Sequence, residues 1–174
     1  MDDRPRVGIS ACLLGDRVRY DGGHKRDAFL TGTLAARVRF VRVCPEVEAG
    51  FGAPREPMEL RATAAGRALI VVDSGRDVTD TMRHWAAARV GALAAERLDG
   101  FVLKSRSPSC GIDDVPVYGE VLDPNGRGLF AAALIARFPS LPIEDEARLV
   151  NPIARDGFVE RVFAHHRARL GGRR

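Results

Sequence analysis

Residues 80–111 read DTMRHWAAARVGALAAERLDGFVLKSRSPSCG, and this stretch decides the fold. Met82, Trp85, Ala86, Val90, Leu93 and Leu98 recur at helical spacing, so residues 80–98 predict an amphipathic helix. Asp77 or Thr79 can cap it, and Asp99-Gly100 closes it. Phe101-Val102-Leu103 then reads as a short buried strand, and a loop rich in serine, proline and glycine follows around Cys110. A long helix feeding a short apolar strand with a polar loop at its end is the unit of an α/β domain with a parallel sheet.

The same phrase recurs outward from there. Residues 6–11 predict a buried strand that Cys12 ends, and residues 38–43 predict a second that Cys44 ends. Between them, residues 27–37 predict a short helix with a poor centre at Gly32. Residues 45–60 carry three prolines and two glycines and are expected to be irregular. Residues 68–72 predict a buried strand, residues 115–118 a short edge strand, and residues 127–138 a helix. In residues 151–170, Ile153, Phe158, Val162, Phe163 and Leu170 form a helical apolar stripe that a terminal helix would dock on the sheet. The expectation is an α/β fold with a mainly parallel, Rossmann-like open sheet flanked by helices and followed by a C-terminal amphipathic helix. Residues 1–147 are expected to form the main domain and residues 148–174 a helical extension.

Composition narrows the function. Hydrophobic residues make up 45% of the 174, enough for a core without disulfides. No apolar stretch reaches the length of a membrane span, and the N-terminus lacks the apolar region of a signal peptide, so a cytoplasmic chain is expected. The net charge of +4 tolerates an anionic partner, while an aromatic content of 6% offers little for an RNA-stacking platform. No phosphate-binding glycine fingerprint is present, which argues against a dinucleotide cofactor. Of 27 basic residues only Lys25 and Lys104 are lysines, and both lie in glycine- or serine-rich loops. In so arginine-rich a chain, a lysine marks a place for a compact ammonium.

Cys12, Cys44 and Cys110 each follow a predicted strand. In an open parallel sheet those carboxyl ends share one edge, where ligands bind. The spacings of 32 and 66 residues match no local zinc or ferredoxin pattern, so convergence rests on topology alone. Three thiolates can hold a zinc ion with an open fourth position, as in a zinc hydrolase. They can equally hold a cubane iron–sulfur cluster in which one iron keeps an exchangeable site. Other readings are a non-catalytic RNA-binding module with a structural metal, or a metal-free cysteine nucleophile. The last lacks an evident histidine partner, since only His24 is near in sequence to a cysteine loop. Three buried structural thiols are the bland reading.

Read together, SACLLGDRVRYDGGHK (10–25), CPE (44–46) and KSRSPSCG (104–111) resemble the TudS-type thiouracil desulfidase family. The resemblance runs over most of residues 6–140. It implies a [4Fe–4S] cluster on Cys12, Cys44 and Cys110 and removal of sulfur from 2-thiouracil-type bases. Residues 148–167, RLVNPIARDGFVERVFAHHR, resemble the junction at which longer relatives continue into a helical domain that engages RNA, which implies thiolated tRNA as a second substrate class. Within that frame Glu46 is the candidate general base for an attacking water, and Ser105 the candidate for proton handling. Lys104 is placed to stabilise developing negative charge or meet a phosphate, and Arg106 to meet a phosphate. Ser107 and Ser109 are candidate hydrogen-bond donors to the base or to the cluster sulfides, and Asp21, with Gly22 and Gly23, a candidate to close over the ligand.

Overall fold

The computed structural model describes residues 3–172. In chain order the elements are β1 (Arg6–Ser10), β2 (Arg39–Val43), α1 (Pro45–Glu48), β3 (Met58–Thr63), β4 (Gly66–Val71) and α2 (Thr79–Glu96). They continue with β5 (Gly100–Leu103), β6 (Val115–Tyr118), β7 (Asp123–Gly126), α3 (Leu129–Arg137), β8 (Ile143–Asp145) and α4 (Pro152–Gly171). The strands β2-β1-β5-β8 form a wholly parallel sheet. The α/β architecture expected from the sequence is the one the chain adopts.

Alternation along β5 shows why the sheet is covered on both faces. Phe101 and Leu103 pack with Ala86, Val90, Leu93, Phe130 and Leu134 from α2 and α3. Val102, one residue out of phase, packs with Val7, Ile9, Leu30, Leu34, Phe158 and Val162 on the other face, under α4. Phe101, Phe130 and Phe158 are fully buried, each contributing about 2–3 kcal/mol by removing its ring from water. The Phe101 ring lies directly over β1 at Gly8, where an added Cβ would stand 2.2 Å from it. Only glycine permits that approach.

A second sheet was not expected. It runs β4-β3-β6-β7, with β3 antiparallel to β4, parallel to β6, and β6 antiparallel to β7. The strand predicted at residues 68–72 is found here as β4, and β6 lies inside this sheet rather than at an edge. Its core, Leu60, Leu69, Val71, Val115 and Val117, packs on Val78 and Met82 at the start of α2. The reading of residues 45–60 as wholly irregular is corrected at both ends. Pro45 opens α1, whose first turn tolerates a residue without an N–H, and Glu48 Oε1 accepts the N–H of Cys44. β3 escaped notice because Met58-Glu59-Leu60-Arg61 lacks β-branched residues, and β7 because Asp123-Pro124-Asn125-Gly126 has turn composition.

The helix expected at residues 27–37 is a widened turn, Leu30–Leu34, in which the Ala35 N–H reaches back to the Leu30 carbonyl. Asp27 caps it by accepting the Leu30 N–H. In α4, Phe158 and Val162 are buried as expected, but Ile153 is 85% exposed, and His166 takes the inward place below Val162. Ile153 sits in the first turn, where Asn151 accepts the N–H groups of Ile153 and Ala154, before the helix reaches the sheet. Among the described residues, no helix is long and apolar enough to cross a membrane.

The amino-end edge of the parallel sheet carries a fixed charge cluster. Asp99, fully buried, accepts the Arg6 N–H and a bidentate pair from Arg169 Nε and Nη2 at 2.9 and 3.0 Å. His166 and His165 stand 2.9 and 3.3 Å from its two oxygens. Burial alone would raise the Asp99 pKa, but Arg169, the Arg6 amide, His166 and His165 outweigh it and hold the carboxyl down at about 2. This cluster bolts the end of α4 to β1 and β5.

Candidate active site

Four parallel strands end at one edge, and each delivers chemistry there. Cys12 lies in the single tight turn after β1, Cys44 directly follows β2, Lys104 and Ser105 follow β5, and Glu146 follows β8. Cys12, Cys44 and Cys110 are buried, unpaired, and line one small chamber of about 50 Å³ with Ser10, Arg19, Glu46, Arg55, Lys104 and Ser107. The chamber adjoins a cleft of about 420 Å³ walled by Arg19, Lys25, Glu46, Arg55, Lys104 and Arg106, among others. Both lysines of the chain stand in this cleft.

Burial pushes the Cys12 thiol up to about 11, with Arg19 and Lys104 pulling it back in part. Burial and then Glu46 push Cys44 up to about 12, and burial raises Cys110 well above the ordinary thiol range. Left alone, the three are neutral thiols at pH 7. A group that binds all three as thiolates must carry positive charge to offset that cost. Soft sulfur donors select zinc or an iron–sulfur group. Among the described residues, no three His, Cys, Asp or Glu side chains close on one point as ligands of a single ion do. Three thiols around one chamber are a donor set that either group could use.

The Cys110 loop is held by α3. Gly128 N–H donates to the Gly111 carbonyl, Leu129 N–H to Pro108 and Ala131 N–H to Ser109. These are N-terminal donors with no partner inside the helix. At Gly128 an added Cβ would stand 2.4 Å from the Ser109 carbonyl, so the helix start can press on the loop only as glycine. Within the loop, Ser107 Oγ accepts the N–H groups of Ser109 and Cys110. Arg106 takes φ 60°, the left-handed region, fixed by its N–H bond to Asp114.

Glu46 is buried between the two compartments. Its Oε2 lies 3.7 Å from Cys44 Sγ and 3.7 Å from Arg55 Nη2, and Arg55 is itself anchored on the carbonyls of Val18 and Gly52. Ser105, Arg106 and Ser107 line the cleft beside Lys104. Two expected substrate contacts lie elsewhere. Ser109 is fully buried beneath the start of α3 and lines neither compartment, its Oγ without a protein partner. Asp21 is exposed and turns back to accept the Gly23 N–H, as an Asx turn does. His24 likewise accepts the Arg26 N–H through Nδ1.

Arg19, Arg55 and Glu146 were not singled out in the sequence. Two arginines among twenty-five carry no local mark. Glu146 ends the acidic run Glu144-Asp145-Glu146, which reads as a solvated surface. The signal that finds it is topological: a strand beginning at Ile143 must end at the cysteine edge. The side chain of Arg19 brings a further feature, a buried Nε with no hydrogen-bond partner, at the junction of chamber and cleft.

The model of the 2-thiouracil desulfurase family matches residues 7–146. The chain belongs to that family. Those bounds run from Val7 in β1 to Glu146, so every side chain that lines the chamber or the cleft falls inside the family match. Among solved structures, the chain is similar to a [4Fe–4S]-dependent thiouracil desulfidase, TudS, with 32% identity and a TM-score of 0.67 over 84% of this chain and 93% of that one. It is also similar to the uncharacterized protein YbbK of Bacillus subtilis (strain 168), 35% identical over 108 residues, which are 59% of this chain and 71% of that protein.

Proposed function

We propose that this desulfurase-family chain removes sulfur from 2-thiouracil-type pyrimidines, with Cys12, Cys44 and Cys110 holding a [4Fe–4S] cluster. The observation that carries the reading is the convergence of the three buried thiols on one chamber that adjoins a cationic cleft. Bound there, a cubane on three thiolates supplies a Lewis-acidic iron with one position open to a soft sulfur donor. The rest falls to the chain's own side chains.

The balance is hydrolytic: the thiocarbonyl carbon exchanges its sulfur for a water oxygen, hydrogen sulfide leaves, and no electrons are transferred. Glu46 is the base that takes a proton from the water, being buried at the chamber mouth and steadied by Arg55. Lys104 faces the negative charge that develops on the base, and Ser105, bonded to it, moves a proton at Oγ. Ser107 shapes the Cys110 loop through two backbone bonds, while Arg106 stands at the cleft rim to meet a phosphate. A cleft of about 420 Å³ is of the size that small-molecule sites take, so it admits a free base or a uridine presented by tRNA. We assign residues 1–147 as the desulfidase domain and residues 148–174 as its helical extension.

The test is iron, acid-labile sulfide and zinc per chain on anaerobically purified protein, followed by sulfide release from 2-thiouracil and from thiolated tRNA. About four irons and four sulfides, with turnover, support the reading. One zinc per chain without sulfide release favours the zinc hydrolase. Salt-dependent tRNA binding without turnover favours the RNA-binding module.

A further inference from the structure

Glu146 is a carboxylate at the cysteine edge whose bonds run to both Lys104 and Ser105. Its Oε2 accepts the Ser105 N–H at 2.7 Å, its Oε1 accepts the Ser105 hydroxyl at 2.8 Å, and Oε1 also pairs with the Lys104 ammonium. Lys104 Nζ in turn donates to Ser105 Oγ at 3.0 Å and to the Ser105 carbonyl at 2.9 Å. The carboxylate is largely buried, its side chain 15% exposed, and Lys104 is 16% exposed. The contact joins residues 42 apart, from the ends of two neighbouring strands. A surface pair of this kind contributes little, but a largely buried carboxylate with three donors holds them in one geometry.

We infer that Glu146 is a positioning residue that sets what Lys104 and Ser105 present to the cleft, an inference that rests on the desulfidase reading above. Two consequences follow from donor and acceptor counting. The Ser105 hydroxyl hydrogen is committed to Glu146, and one Oγ lone pair is taken by Lys104, so Ser105 faces the cleft through its remaining lone pair. Lys104 has three ammonium hydrogens, and its bonds to Glu146, the Ser105 carbonyl and Ser105 Oγ account for all of them. To donate to a substrate, Lys104 must release one of these, and the bond to Oγ is the one whose loss leaves the ion pair intact. When Lys104 turns to the substrate, Ser105 keeps its hydrogen bond to Glu146 and is freed as an acceptor. When Ser105 Oγ takes a proton from the cleft, it passes its own hydroxyl hydrogen to the Glu146 carboxylate and stays a neutral hydroxyl. Without Glu146 the same two side chains remain in the cleft but lose this order.

The test uses Glu146→Gln, which keeps the volume and one acceptor but loses the charge and turns an amide N–H₂ toward the donors. On the full-length protein without cluster, an amine-acylating reagent followed by mass spectrometry reads how firmly Lys104 is held, with Lys25 as the internal reference. The expected result is labelling of Lys104 at least threefold faster in E146Q, with Lys25 unchanged. On anaerobically reconstituted protein, kcat per cluster for 2-thiouracil is expected to fall at least tenfold while KM changes less than threefold. In a Lys104→Met/Ser105→Ala background the same substitution is expected to cost less than threefold, because both side chains it positions are gone. A Lys104 labelling rate unchanged by E146Q, or a kcat per cluster that stays within twofold of wild type, overturns the inference while leaving the desulfidase reading in place. Wild-type protein that carries a full cluster yet releases no sulfide overturns the desulfidase reading, and the catalytic half of this inference with it.

Discussion

A single residue near the site is worth what its neighbours leave it to do. Cys110 is fully enclosed and its loop is fixed from both sides, so Cys110→Ser is expected to leave the fold intact while removing one of three soft donors. Iron per chain after anaerobic reconstitution should fall to less than half the wild-type value, and sulfide release with it. A full iron complement in that variant would remove Cys110 from the ligand set. Glu46→Gln is a different kind of change. Its carboxylate is replaced by a near-isosteric amide that cannot take a proton, so iron content should hold while kcat drops by about 10²–10⁴, the usual worth of a positioned general base. Turnover that survives the change would assign the proton to another group. Both outcomes were open to argument from residue order alone, since Cys110 and Glu46 both come after strands that the sequence predicts. Arg55, which steadies Glu46, was not, because nothing in Ala53-Pro54-Arg55 reveals that the loop folds back over α1.

At the level of elements, the legible part was the parallel sheet. Phe101-Val102-Leu103 and its counterparts are short, apolar on both faces and bounded by turns, which is the pattern that burial beneath helices on two sides imposes. The second sheet was illegible for a complementary reason. β3 buries only Leu60 and β7 only Gly126, and positions such as Glu59, Arg61, Pro124 and Asn125, half-exposed or exposed, carry no strand signature. The grip of α3 on the Cys110 loop was likewise hidden, because a glycine before a helix reads as ordinary punctuation. Its structural meaning makes a prediction. Gly128→Ala must push the helix start away from the Ser109 carbonyl, at an expected cost of about 1–3 kcal/mol for overpacking. Thermal unfolding should report that loss, and iron retention in air should shorten more than the stability loss alone explains, since the displaced loop carries Cys110. Equal iron retention at reduced stability would show that the helix supports the fold without shaping the site.

At the scale of the whole molecule, the sheet divides its labours between two edges. The carboxyl edge gathers the cysteines, and the amino edge is closed by Asp99 with Arg6, His165, His166 and Arg169. The sign of the pH effect follows from the folded value. Asp99 sits at about 2 in the folded chain, below the ordinary aspartate value near 4 that the unfolded chain would show. Its stabilising contribution, about 2 kcal/mol, is therefore complete above about pH 4 and lost as pH falls toward 2. Urea unfolding between pH 2 and 7 should show that decline in the wild type and a flatter one in Asp99→Asn. A slope that Asp99→Asn leaves unchanged would place the acid sensitivity elsewhere.

The order in which the polypeptide is synthesised gives the cysteine edge one more property. β5 lies between β1 and β8 in space but emerges roughly ninety residues after β1. Cys12 and Cys44 can be brought side by side early, yet Cys110 comes much later, and the Glu146 carboxylate that braces Lys104 and Ser105 comes last. No nascent chain shorter than about residue 146 holds the complete pocket. An apparatus delivering metal during translation would meet at most two of the three thiols until Cys110 had been made, so uptake of a cluster held by all three should begin only after that point, and its onset in a synchronised translation reaction would mark the closing of the pocket.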